Sequence, residues 1–185
     1  MIRIGIILGS TRPGRNGEAV ARWVHDHAAR RGDAHYELVD LKDYDLPHLD
    51  EPLAAATGVY ERPHTKAWSD TIAGLDGFVF VTPEYNHSTS GALKTAIDFL
   101  YAEWHDKAAG VVGYGVSGGV RAAEHLRQVL GQLKVADVQI AVELLMHTDF
   151  EDFTTFKPAP HQADMLTKLL DQVVTWSTAL RPLRT

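Results

Sequence analysis

Cysteine is absent from all 185 residues. That removes disulfides, thiolate nucleophiles, thiolate-bound zinc and cysteine-bound iron–sulfur clusters at once. Any redox chemistry must come from a bound organic cofactor or a metal held without thiolates. An excess of basic charge is also missing: 18 Lys and Arg stand against 24 Asp and Glu, a formal charge of −6. With an isoelectric point near 5.9, the chain lacks the electrostatic footprint of a general nucleic-acid binder. Long apolar runs are missing too. Met1–Gly9 carries one basic residue and a brief apolar stretch, and Arg12 and Arg15 follow directly. It is too short for a signal-peptide core, and no window approaches a membrane span. These absences predict a cytoplasmic protein with no membrane and no nucleic-acid partner. Finally, the ten histidines show no H-E-x-x-H or comparable ligand spacing. His25 and His27 are two apart on a predicted helix and do not share a face, so no metal site is expected.

What is present reads as one domain over residues 1–185, large enough to bury roughly 70% of its unfolded surface. The most informative stretch runs from Gly77 to Leu100. Phe78–Val81 is wholly apolar, β-branched and aromatic, which suits a strand buried on both faces. Pro83 ends it, Ser90 offers a helix N-cap, and Leu93, Ala96, Ile97 and Leu100 recur at helical spacing. Further strands are expected at Ile4–Leu8, Tyr36–Leu41, Ala108–Val116 and Val138–Leu145. Helical stripes are expected at Ala19/Val20/Trp23/Val24/Ala28, Ala67/Trp68/Thr71/Ile72/Leu75, Val120/Ala123/Leu126/Leu130/Leu133 and, after Pro160, Ala163/Leu166/Leu169/Leu170/Val173. Five strands alternating with five helices predict an α/β fold with a parallel sheet covered on both faces. Lys42–Pro63 is the longest irregular stretch, expected to be a functional loop or to hide a short helix near Leu53–Ala56.

In such an array every strand-to-helix loop lies on one edge of the sheet, where open α/β sheets bind ligands. Three loops are candidates to meet there: Gly9–Gly17, Thr82–Ser90 and Ser117–Gly119. The first combines glycine, hydroxyls and arginine ahead of a helix, so its backbone N–H groups with Arg12 or Arg15 suit a phosphate. No Gly-Lys-Ser/Thr follows, so it is not a Walker A loop. Gly113-Tyr114-Gly115-Val116-Ser117-Gly118 matches G-x-G-x-x-G, but Gly113 and Gly115 fall inside the predicted strand rather than in a turn. They are better read as making room for something bulky, with Ser117-Gly118-Gly119 presenting backbone N–H groups. Pro83-Glu84-Tyr85-Asn86-His87-Ser88 offers an aromatic, an amide and hydroxyls for a flat, polar-edged ring. Glu84 and His87 could form an acid–base pair; the favoured reading is that Glu84 braces the turn and His87 is exposed.

Together these loops resemble the NADPH-dependent FMN reductases, which include quinone-, azo- and chromate-reducing flavoproteins. The resemblance runs from Ile4 to about Leu145 and is carried by Gly9-Ser10-Thr11-Arg12, Asn16-Gly17 and Pro83-Glu84-Tyr85-Asn86 through Asp98. It implies a flavodoxin-like three-layer sandwich with strand order 2-1-3-4-5, a non-covalent FMN, and a homodimer or homotetramer. By position it places Ser10, Arg12, Asn16 and Gly17 at the FMN phosphate. Pro83, Glu84, Tyr85 and Asn86 would lie along the ring and ribityl chain, and Ser117, Gly118 and Gly119 beside the ring. The implied activity is hydride transfer from NADPH or NADH through flavin N5 to a small-molecule acceptor such as a quinone, free flavin, azo compound or metal ion. The protein then needs no catalytic side chain of its own. The alternatives are a flavodoxin-type electron carrier or a non-catalytic flavin-binding protein. Two departures stand out: Ser90 where the family often has proline, and Thr95 where it often has asparagine.

Overall fold

The computed structural model describes residues 1–184. Its frame is a five-stranded parallel sheet ordered β2-β1-β3-β4-β5, with β1 at Arg3–Leu8, β2 at His35–Asp40, β3 at Gly77–Pro83, β4 at Ala108–Gly115 and β5 at Ala136–Leu145. Helices α1 (Gly17–Ala29), α2 (Pro63–Ala73), α3 (Gly91–Asp98), α4 (Val120–Gln132) and α5 (His161–Leu180) supply the covering layers. This is the flavodoxin-like order expected from the resemblance.

Strand alternation sorts side chains between two cores. Ile4, Ile6 and Leu8 of β1, Val79 and Val81 of β3, and Val112 and Tyr114 of β4 pack under α1 and α5. Ile7, Phe78, Phe80, Ala109 and Val111 face α2, α3 and α4. Every residue of β3 is buried, because the central strand has a helical layer on each side and a paired strand on each edge. The second core is rich in aromatics. Trp68 of α2 lies 6.1 Å from Trp104, which lies 5.0 Å from Phe78. Both indoles donate to α3 carbonyls, Trp68 to Ala96 at 2.7 Å and Trp104 to Ile97 at 3.1 Å. The two rings therefore fix α3, and with it the loop that enters α3. Ser90 caps that helix by accepting from the Leu93 N–H at 3.1 Å.

Several sequence expectations shift. In α1 the buried stripe runs through Val20, Ala21, Val24 and Ala28, while Ala19 is exposed and Trp23 half-buried. Val120 opens α4 with its side chain outward, 39% exposed, because it emerges at the sheet edge before the helix reaches the core. The Lys42–Pro63 stretch holds two short 3-10 turns, Leu41–Tyr44 and Ala55–Thr57, the second close to where a short helix was expected. A two-stranded antiparallel ribbon, β6 (Phe150–Glu151) with β7 (Thr155–Phe156), was not expected at all.

At the opposite edge of the sheet, Lys107 is 3% exposed just before β4. Its ammonium donates to the carbonyl of Ile72 at 2.7 Å and that of Ala73 at 3.4 Å. A cation there satisfies two of the acceptors that the end of α2 leaves open. Burial, with help from the Arg184 charge, lowers the Lys107 pKa to about 8 from 10.5. Between those values the unfolded chain binds the proton and the folded chain does not, so stability rises with pH across that window. Denaturant midpoints should therefore show wild type gaining on Lys107→Met between pH 8 and 10; parallel pH profiles for the two proteins would reject the linkage.

Candidate functional site

Strands β1, β3 and β4 are neighbours in the sheet, so the loops leaving their carboxyl ends emerge side by side. The first two are stitched together at several points. The Gly9 N–H donates to the Val81 carbonyl at 2.9 Å, and the Ser90 hydroxyl donates back to the Gly9 carbonyl. Ser10 Oγ and Tyr85 Oη share a hydrogen bond at 3.0 Å across the loops. Ser90, standing where proline was often expected, thus links both loops as well as capping α3.

In the first loop the residues divide into two groups. Arg15 is turned inward. Its guanidinium forms a two-point ion pair with Asp40 at the end of β2 and also donates to the Ser10 carbonyl. It braces the loop from below and is not free for a ligand. Arg12 is exposed, with one long contact to the Gly14 carbonyl at 3.4 Å. Asn16 precedes α1 without making a side-chain cap; its amide instead donates to the Phe153 carbonyl at 2.8 Å. Gly17 then begins α1, and any Cβ there would stand 2.4 Å from the Tyr114 hydroxyl. Only glycine fits.

The Pro83–Ser88 segment is a tight reversal. Tyr85 and Ser88 exchange backbone hydrogen bonds of 2.8 and 3.1 Å, and Asn86 and His87 between them have φ of 49° and 68°. Positive φ at both central residues is the geometry of a type I′ turn, in which Asn is well tolerated. His87 is exposed on the turn, as favoured from sequence. Glu84 does brace the turn, and its partner is a residue sequence reasoning missed. Its carboxylate, 7% exposed, pairs with the Arg121 guanidinium and accepts from the Arg121 backbone N–H at 3.0 Å. Gly119, the residue before α4, has no side chain to cap that helix. Glu84 supplies the anion from another loop instead. Arg121 also reaches Ser117 Oγ at 3.2 Å, which ties the second loop to the third. The sequence carried one signal for this pair: an arginine in the first turn of a helix opposes the helix dipole unless an acid lies nearby.

The third loop folds back on its own strand. A Cβ on Gly113 would meet the Gly118 carbonyl at 2.8 Å, and one on Gly119 would meet Gly113 Cα at 2.6 Å. Gly113 therefore admits the backbone of Gly118 and Gly119, rather than the bulky group expected. Gly115 admits the close approach of Glu84, whose Cβ lies 3.3 Å from where a Cβ on Gly115 would stand. Gly113 and Gly115 lie within the strand, and this stretch has no dinucleotide-type turn. Tyr114, between them, points its ring into the α1/α5 core and its hydroxyl toward Ser10 and Gly17. Burial, and then the nearby Tyr85, push its pKa above the ordinary phenol value, while Ser10, Arg12 and Arg15 pull in the other direction. Among the described residues, no cluster of His, Asp or Glu is arranged to hold a metal ion, and no helix is long and apolar enough to cross a membrane.

Comparison with known proteins decides the family. The family model for NADPH-dependent FMN reductase matches residues 2–148. This chain belongs to that family. Among FMN reductase relatives, it is 45% identical over 135 residues to the NAD(P)H-dependent FMN reductase C4B3.06c of Schizosaccharomyces pombe, covering 72% of this chain and 68% of that protein. It is 34% identical over 137 residues to a quinone reductase of Escherichia coli, covering 70% of this chain and 69% of the relative. In fold it is similar to FerB, a flavoenzyme NAD(P)H:(acceptor) oxidoreductase from Paracoccus denitrificans. The TM-score is 0.74 at 22% identity, with 97% of this chain and 98% of that one covered. The FMN reductase match stops before β6 and β7, so the ribbon whose tip holds Asn16 lies outside the matched segment.

Removing the charge that joins the second and third loops should be measurable as stability. Arg121→Ala leaves the Glu84 carboxylate nearly buried beside the N–H groups of α4. We expect a loss of about 1–3 kcal/mol, less than for a fully buried pair because Arg121 is partly exposed. Urea titration reads it directly, and an unchanged midpoint would show that the pair contributes nothing.

Proposed function

We propose that the three joined loops hold FMN non-covalently and that the protein is an NAD(P)H-dependent FMN reductase acting on a small-molecule electron acceptor. The observation that carries this reading is the family match over residues 2–148, coinciding with the loops that the fold brings to one edge. The donor set fits a phosphate monoester. The start of α1 has no side-chain cap, Arg12 is exposed beside it, and the Tyr114 hydroxyl is buried there without a partner. A dianionic phosphate would match uncapped helix N–H groups and an arginine in charge as well as in hydrogen bonding.

In this reading Ser10, Arg12, Asn16 and Gly17 bound the phosphate end. The backbone of Pro83, Glu84, Tyr85 and Asn86 lies along the ring and ribityl chain, and Ser117, Gly118 and Gly119 border the ring from the third loop. The Glu84 side chain serves by positioning, since it is committed to Arg121. Asn16 likewise serves by position, its amide being held at Phe153. When bound, FMN would supply N5 as hydride acceptor from NADPH or NADH and as donor to a quinone, free flavin, azo compound or oxidised metal ion. The chain's own part is to bind the phosphate, orient the ring and fix the polar edge that the ring meets, with no side chain required to carry a proton. The named quinone reductase relative supports a quinone among these acceptors.

We infer in addition that two copies associate. A groove of about 510 Å³ runs between α3 and α4 and is lined by Ile97, Leu100, Val129 and Leu133. It continues into a second concavity beginning at Ser88 and Thr89, so a second copy seated there would border the loop that carries Tyr85. Sedimentation at micromolar concentration should give twice the 20.4 kDa chain mass; a single-chain mass would overturn the dimer.

For the activity itself, the purified chain should keep a visible flavin band after FMN is added and the excess removed, and NADPH added without oxygen should bleach it. A band that persists under NADPH would point to electron carriage or sensing instead, and no retained band would remove the flavin site.

A further inference from the structure

Buried polar atoms almost always have a hydrogen-bond partner, and one without calls for a physical reason. Tyr114 is such a case. The residue is 5% exposed, and its hydroxyl is fully buried with no protein partner. A phenylalanine would fill the same core position against Phe150, whose ring centre lies 6.4 Å away, without leaving a polar atom stranded.

The direction of the hydroxyl supplies the reason. It stands against Gly17, the first residue of α1, where a Cβ would fall 2.4 Å from the oxygen. Tyr85, Ser10, Arg12 and Arg15 all act on its titration from nearby, yet none of them is placed to hydrogen-bond it. Ser10 is 1% exposed and already shares a hydrogen bond with Tyr85. Three hydroxyls, a helix start without a side-chain cap and one exposed arginine therefore converge at a single point. Gly17, having no Cβ, leaves the space that the Tyr114 hydroxyl occupies beside the start of α1.

We propose that Tyr114 Oη is a ligand-binding donor that completes the phosphate site, giving its hydrogen bond to the phosphate monoester of the bound flavin. This rests on the flavin reading above and adds a residue that the loop motifs do not contain. Tyr114 reaches the site from within β4, under the first turn of α1, whereas Ser10 and Arg12 approach from the loop. Its task is selective. It distinguishes a phosphorylated flavin from riboflavin, which has the same ring and ribityl chain but no phosphate.

The test is Tyr114→Phe in the full chain, with flavin stripped and then titrated back by fluorescence quenching, using FMN and riboflavin separately. We expect FMN affinity to fall roughly 10- to 100-fold, the range for losing a hydrogen bond to a charged group, while riboflavin affinity stays within about twofold. Inorganic phosphate should compete with FMN less effectively in the variant than in wild type. In the absence of flavin the variant should melt no lower than wild type, because an unsatisfied hydroxyl has been removed. Equal FMN affinity in variant and wild type would overturn the assignment. So would an equal loss for both flavins, which would mark Tyr114 as a packing residue. A wild-type protein that binds neither flavin would instead overturn the flavin reading itself, and this inference with it.

Discussion

The adjacency of β1, β3 and β4 is the constraint on which the rest of the molecule depends. Their apolar runs are buried by helices on both faces, and a parallel sheet is the arrangement that permits this. Once the three strands run parallel side by side, about 4.8 Å apart, their outgoing loops must share one edge. Ser10 and Tyr85 are 75 residues apart in sequence, and Glu84 and Arg121 are 37 apart, yet each pair is in hydrogen-bond contact. No local preference could bring them together. The aromatic cluster around Trp68 and Trp104 matters for the same reason. By bonding to α3 carbonyls it fixes the helix that the central loop must enter.

Within that frame, charged side chains at the site are used first to hold the site's own shape. Glu84 is a nearly buried carboxylate, and such a group is costly unless paired. Arg121 pairs with it from the start of a helix where a lone cation would be disfavoured. Each group removes the other's penalty, and the two loops are joined as a consequence. Arg15 and Asp40 do the same below the first loop. This leaves Arg12 as the exposed arginine of that loop and leaves the turn backbones prearranged, which lowers the ordering cost of binding a flat cofactor. A reductase whose chemistry resides in its cofactor gains from rigidity of this kind more than from reactive side chains.

Much of this was legible because periodicity is a local property. β3 was recognisable from four consecutive apolar residues stopped by proline, and α3 from Ser90 followed by Leu93, Ala96 and Ile97. The loops could be placed because parallel topology puts them on one edge. The partners of the charged residues were not legible, since the Glu84–Arg121 and Arg15–Asp40 pairs are set by tertiary distance. Gly113 and Gly115 misled for a related reason. The missing side chain of Gly113 accommodates the backbone of the following turn and that of Gly115 the approach of Glu84 from another loop, which composition does not reveal. The β6–β7 ribbon was invisible because each strand has only two residues, and its turn at Asp152 and Phe153 carries no glycine or asparagine.

That ribbon has a role consistent with its cost. Asp152 and Phe153 both have positive φ, at 50° and 59°, and a bulky aromatic in that region is strained by roughly 1–3 kcal/mol. The strain is held in place from the base of the ribbon. Asp149 there is wholly buried and accepts from the N–H groups of Leu145 and Ala159, at 2.9 and 2.8 Å. Phe156 packs on Trp23 of α1 at 5.5 Å. The result is a fixed Phe153 carbonyl that takes the Asn16 amide. An asparagine at that position ordinarily bonds the first-turn N–H groups of its own helix. Drawn away to Phe153, it leaves those donors without a side-chain cap, at the point where Arg12 and the Tyr114 hydroxyl also converge. The strained turn thus acts on the phosphate loop by withholding an internal cap, which keeps the start of α1 available to an anion.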